Sequence, residues 1–125
     1  MAARKMKDKL IPKDKIAEEL RLINGSSTDY ITPTGNIYKE YEPNMFFHKK
    51  TFINKHNGYL YCGITYDEGQ RQRRVHILVA EAYIPNPNNY PVVMHKDNNK
   101  ANPRKDNLQW GTTQENTQNA FNDLL

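Results

Sequence analysis

Cysteine is almost missing from this 125-residue chain: Cys62 stands by itself. One thiol makes no intramolecular disulfide and no multi-cysteine zinc box, and no disulfide-linked partner is expected. Cys62 itself reads as a small buried hydrophobe with no nearby base to activate it. Long apolar runs are missing too. Nothing approaches the length of a membrane span or a signal h-region, so a cytoplasmic protein without a membrane partner is expected. Apolar residues make up 37% and the mean hydropathy is −0.93, which predicts a thin interior under a polar surface. Acidic residues fall short of basic ones, 14 against 18, and the net charge of +4 tilts the chain toward polyanions. The length suits one modest core.

What is present is concentrated in the last third, where Val92 to Asn116 reads VVMHKDNNKANPRKDNLQWGTTQEN. Val92 and Val93 predict a short buried strand that delivers Met94 and His95 to its end. Asp97, Asn98, Asn99, Asn102 and Pro103 are turn formers with little to bury, so a surface loop held by local Asx-type bonds is expected up to Asp106. Asn107 precedes a second short strand, Leu108 to Trp110. Thr112 with Glu115 fits a capping box, which predicts a helix from about Thr113 to Asp123 with Asn116 in its first turns.

This strand, loop, strand and helix resemble the HNH endonucleases of the ββα-metal, or His-Me finger, superfamily, and most closely the small phage and intron-encoded homing nickases. The likeness runs through Val93, His95, Asp97, Asn99, Lys100, Asn102, Asn107, Leu108, Trp110, Thr112 and Asn116 at fixed spacing. It extends upstream to RRVHILVAEAYIPNP, Arg73 to Pro87, and more weakly to DYITPTGNIYK, Asp29 to Lys39. The fold class implied is α+β: a ββα-metal finger core with an upstream antiparallel β-hairpin and an N-terminal helix. The segments expected are a basic arm and packing helix over 1–28, a small β module over 29–57 and the nuclease domain over 58–125.

The upstream chain supports that division. Residues 1 to 11 mix Lys, Arg and Met without period and read as a basic arm. From Pro12, Ile16, Leu20 and Ile23 fall at helical spacing, and Asn24-Gly25 supplies a stop, so a packing helix is expected there. Tyr30 to Tyr41 predicts a hairpin turning at Thr34-Gly35-Asn36. Asn44 to Lys55 reads as irregular chain leading to a strand, and neither His48 within it nor His56 just after it has ligand spacing. Gly58 to Tyr66 is the clearest strand, with Leu60, Cys62 and Ile64 on one face and Tyr59, Tyr61 and Thr65 on the other. After the Asp67-Glu68-Gly69 turn, the return strand carries Arg71, Arg73 and Arg74, read either as a charged protective edge or, preferentially, as a ribbon laid on DNA. Val75, Leu78, Val79, Ala82 and Tyr83 share a helical face that ends before Pro85, with His76 orienting or capping the scaffold.

Phosphodiester hydrolysis needs a base for water, a cation for developing negative charge and positive groups to place the strand. His95, at a strand end beside a polar loop, suits the base, because a neutral imidazole accepts a proton near pH 7. The resemblance implies that Asn107 holds its ring through the side-chain carbonyl, and that Asn116 ligates one divalent cation, Mg²⁺ or Mn²⁺. Lys96, Lys100 and Arg104 join Arg71, Arg73 and Arg74 as candidate contacts to double-stranded DNA. The sequence departs from the family at Met94, where relatives place Asp or Asn. A thioether is too soft for Mg²⁺, so Asn116 with waters and substrate phosphate, or Asp97 or another oxygen, has to serve. Two functions follow: a metal-dependent HNH endonuclease that nicks duplex DNA, or a catalytically weakened HNH-like DNA-binding module of a phage or prophage. Close relatives usually carry a further helical DNA-binding module. The chain reaches only Leu125, so low or moderate site specificity is expected.

Overall fold

The computed structural model describes residues 9–114. Thr113 and Gln114 begin the expected helix in helical conformation; the rest of it, Asn116 included, and most of the basic arm lie outside the described residues. Among those described, the architecture is α+β, with antiparallel sheets of five, three and two strands and one α-helix.

The largest sheet gathers β1 (Ile11–Pro12), β2 (Arg21–Leu22), β3 (Asp29–Ile31), β4 (Ile37–Glu42) and β5 (Met45–Lys49) in the order β1-β5-β4-β3-β2. The expected hairpin is β3 to β4. Its turn needs Gly35, which sits at φ 93°, and a Cβ there would come within 2.5 Å of Pro103 Cγ. The packing helix expected from Pro12 is not formed. The segment makes β1, a short 3₁₀ turn over Lys13–Lys15, an extended run and β2. Tertiary partners outweigh the helical spacing. Lys13 N donates to Asn44 O at 2.9 Å and Ile23 N to Asp29 O at 2.8 Å, while the Glu18 carboxylate accepts from Thr34 Oγ1 and Asn36 Nδ2. Only an extended chain serves all three.

Asn44 to Lys55 is likewise more regular than its composition suggests, forming β5 and β6 (Phe52–Ile53). Asn44 turns the chain at φ 63°, and Phe46 is buried edge-on to Tyr30 at 5.4 Å. Basic residues around it hide the alternation.

The second sheet orders β6, β7 (Leu60–Tyr66) and β8 (Gly69–Arg74). As the alternation predicts, Cys62 and Ile64 are buried. Helix α1 (Val75–Tyr83) lays Val75, Leu78 and Val79 into the same core, which also takes Ile23, Ile31 and Ile37 from the first sheet. Each such side chain contributes about 1.5–3 kcal/mol by leaving water. An ion pair within the first sheet, between β5 and β3, reaches across to the second. Lys49 Nζ meets Asp29 Oδ2 and Gly63 O, both at 2.7 Å, and Thr65 N donates to the same carboxylate oxygen.

The last two strands, β9 (Val92–His95) and β10 (Leu108–Gly111), pair with His95 opposite Leu108 and Met94 opposite Gln109. Leu108 enters the core, and Trp110 Nε1 donates to Ile84 O at 3.0 Å, fixing this ribbon to the end of α1. Lys105 N donates to Pro33 O at 2.8 Å. The loop between β9 and β10 therefore rests on the β3–β4 turn.

Candidate active site

His95 ends β9, and the polar loop begins at the next residue. Asp97 organises that loop. Its Oδ1 accepts from Asn99 N at 2.8 Å and Asn107 Nδ2 at 2.9 Å, and its Oδ2 accepts from Asn102 Nδ2 at 2.9 Å. These bonds hold its carboxyl below the usual range, the Asn102 amide first. Asn98 turns the chain at φ 62°, a conformation asparagine tolerates.

Asn107 is buried and works on the loop. Its Oδ1 accepts from Asp97 N at 3.1 Å, and its Nδ2 donates to Asp97 Oδ1 and to Asn102 O. These bonds do not run to the His95 ring, where the resemblance placed them. Asn107 reaches His95 through the backbone instead: Lys96 N donates to Asn107 O at 2.7 Å, closing the ladder beside the histidine.

The imidazole of His95 is 8% exposed, and its Nε2 is buried without a hydrogen-bond partner among the described residues. His76 Nδ1 is likewise buried without a partner among the described residues; leaving such a nitrogen unpaired costs about 1–3 kcal/mol, and at His95 it leaves a ring nitrogen available to accept a proton. His76, from the start of α1, lies beside it with ring centroids 4.5 Å apart. The Tyr59 ring stacks on His76 at 5.0 Å and lies 6.0 Å from His95. Burial pushes His76 down to about 3, helped by His95 and Arg74. Burial also lowers His95, with Lys100 adding and Asp97 opposing. Both rings are therefore neutral near pH 7, and a neutral imidazole can accept a proton.

The six basic candidates part company. β8 alternates, so Arg71 faces with Ile64 and Arg73 with Cys62, whereas Arg74 pairs with Tyr61 on the opposite face. Arg73 bonds Glu81 at 3.0 Å and the Tyr66 hydroxyl, clasping α1. Arg71 is exposed near Glu68, away from the imidazoles. Arg74 and Lys100 converge on the site: the guanidinium is 4.5 Å and the ammonium 5.1 Å from the Tyr59 centroid. Lys96 is exposed beside His95, and Arg104 lies on the loop surface 3.7 Å from Asp106. Sequence reasoning missed Tyr59 as a site residue and missed the closeness of His76. The two-residue period of β7 already put Tyr59 and Tyr61 on the face away from the core.

Among the described residues no group of three or more His, Cys, Asp or Glu side chains is placed to hold a metal ion. Met94 is buried and offers a soft sulfur, and three of the lone-pair positions of Asp97 are taken by the loop. The hard ligands for Mg²⁺ or Mn²⁺ are thus not assembled here by described residues.

The ribbon with His95 at the end of its first strand and its asparagine-held loop fall within residues 73–118, which match the family model described as HNH endonuclease. That stretch carries the HNH endonuclease sequence. Two proteins of Acanthamoeba polyphaga mimivirus are similar, the uncharacterized HNH endonucleases L245 and L247. L245 is 48% identical over 60 residues, 48% of this chain and 18% of its own length. L247 is 38% identical over 61 residues, 47% of this chain and 15% of its own. The matches thus span less than a fifth of those relatives. A solved structure of the HNH homing endonuclease I-HmuI, concerned with its DNA binding and cleavage, superposes with a TM-score of 0.70 at 29% identity. It covers 84% of this chain and 59% of that one.

Proposed function

We propose that the protein is a metal-dependent DNA endonuclease that nicks duplex DNA, with His95 as the general base. The observation that carries this reading is His95 Nε2, a buried and unpartnered ring nitrogen at the family's histidine position, flanked by Lys100 and Arg74 through Tyr59. In this reading Nε2 takes the proton of the attacking water. Asn107 keeps the histidine in place by fixing the loop and the last rung of the ribbon. Lys96, Lys100, Arg74 and Arg104 attract the phosphates, and Arg71 and Arg73 contribute charge from the other face. A divalent cation, when bound, neutralises charge building on the phosphate, and Asn116 with water and substrate phosphate would hold it. No helix among the described residues is long and apolar enough to cross a membrane, which suits a nuclease working in the cytoplasm of a host cell.

Met94 favours a second reading, a DNA-binding module that no longer cuts. Nicking of supercoiled plasmid in Mg²⁺ or Mn²⁺ separates the two. The endonuclease reading expects metal-dependent nicking by wild type, a loss of about a hundredfold or more in His95→Ala, and a large loss in Asn116→Ala. Equal nicking by all three overturns it. Binding that responds to salt but not to metal, with no nicking, establishes the binding module.

A further inference from the structure

The second sheet carries a row of side chains that begins with Phe52 and Tyr61, two rings to which the nuclease chemistry assigns no part. Phe52 lies opposite Tyr61, and Tyr61 opposite Arg74, so the register puts all three on one face. The Phe52 and Tyr61 rings stack at 5.9 Å and 19°. Arg74 Nε donates to the Tyr61 hydroxyl at 3.0 Å, and its guanidinium covers Tyr59, which reaches the His95 ring. The row therefore runs unbroken from the edge strand β6 to the unpartnered imidazole. Lys100 adds a second cation over Tyr59. Among the described residues, neither Arg74 nor Lys100 forms an ion pair with a carboxylate.

Phe52 ends this row 47% exposed on an edge strand of two residues. A large apolar ring costs free energy in that position, and this one extends an aromatic stack into solvent. An aromatic face beside fixed cations suits nucleic acid: the cations take phosphates, and the ring takes a base of any identity. A base within an intact duplex has both faces covered by its neighbours. Only a base out of the stack can lie on Phe52.

We infer that the Phe52–Tyr61 stack is a binding subsite for an unpaired DNA base next to the attacked phosphodiester, with Arg74 and Lys100 holding the phosphates between that base and His95. The inference rests on the endonuclease reading and deepens it. The substrate class becomes DNA that is melted, mismatched or flipped at the cut, where unstacking is cheapest. Selection then acts on local distortion of the duplex.

The test uses the full chain and duplex oligonucleotides carrying 2-aminopurine, either within a short mismatched bubble or fully paired, with EDTA present so that nothing is cut. Wild type should quench the bubble probe by stacking and bind it about tenfold more tightly than the paired duplex. Phe52→Ala should lose the quench and most of that preference, and Phe52→Trp should keep both. Arg74→Gln should weaken binding to both probes alike. An unchanged quench and preference in Phe52→Ala overturns the subsite, as does a Phe52-dependent dimer seen by sedimentation with no effect on the quench. Plasmid nicking by wild type is measured alongside: nicking without any quench removes the subsite and leaves the endonuclease, whereas neither binding nor nicking removes both.

Discussion

The imidazoles of His76 and His95 lie 4.5 Å apart at 47°, with the Tyr59 ring against both. Two basic groups sharing one buried place cannot both be charged cheaply. Burial first, and then the neighbouring His95 and Arg74, depress His76 to about 3 from an ordinary 6.5. The folded protein therefore binds fewer protons than the unfolded chain between those values. Stability from the neutral pair is fully present above pH 6.5 and is lost as pH falls toward 3. The loss attached to His76 is on the order of 5 kcal/mol over the whole window. Thermal unfolding of wild type and His76→Phe across this range should show a flatter curve for the variant, which keeps a ring against Tyr59. Parallel curves would remove His76 as the source.

Much of this arrangement was legible in the sequence, and its failures share a cause. Leu60, Cys62 and Ile64 announced β7 by alternation, and Val75, Leu78 and Val79 before Pro85 announced α1, because each segment buries one face against a continuous core. Ile16, Leu20 and Ile23 have helical spacing as well. Ile23 is instead claimed by the core beside β3, and Glu18 by the β3–β4 turn, so long-range partners decide the backbone. His95 and Asn107 were singled out by the family resemblance, and the structure brings their backbones together where Lys96 N donates to Asn107 O. That Asn107 braces Asp97 and not the imidazole depends on how the loop folds back, which residue types do not encode. The closeness of His76 to His95 arises from packing between α1 and β9, two elements with no local pattern in common.

Lys49 and Asp29 form the polar pin between the two larger sheets. Asp29 is fully buried, and its Oδ2 also accepts from Thr65 N, while Lys49 reaches Gly63 O. Removing one partner strands the other charge away from water, so Asp29→Ala should cost about 3–5 kcal/mol in urea or thermal unfolding. Replacing both, as Asp29→Asn with Lys49→Met, should cost less than Asp29→Ala, because no buried charge is left unpaired. A double variant less stable than the single would mean that the carboxylate supports the Thr65 backbone more than it supports the lysine.

Met94 sits just before the proposed base, where the family places a carboxylate or an amide. Its sulfur contributes nothing useful to a hard cation, so the metal requirement should be steep, with half-maximal nicking only at high Mg²⁺. Met94→Asp adds an anionic oxygen beside His95 and should lower the Mg²⁺ needed for half-maximal nicking by about tenfold. It should also reduce stability in the metal-free protein, because position 94 is 5% exposed and a carboxylate there loses its water. Added Mg²⁺ should restore part of that loss, since a ligand binding the folded state stabilises it. Met94→Leu, which fills the same space without oxygen, should leave the metal requirement unchanged. If Asp and Leu at this position give the same Mg²⁺ dependence, residue 94 does not face the proposed cation, and its oxygen ligands must come from other residues.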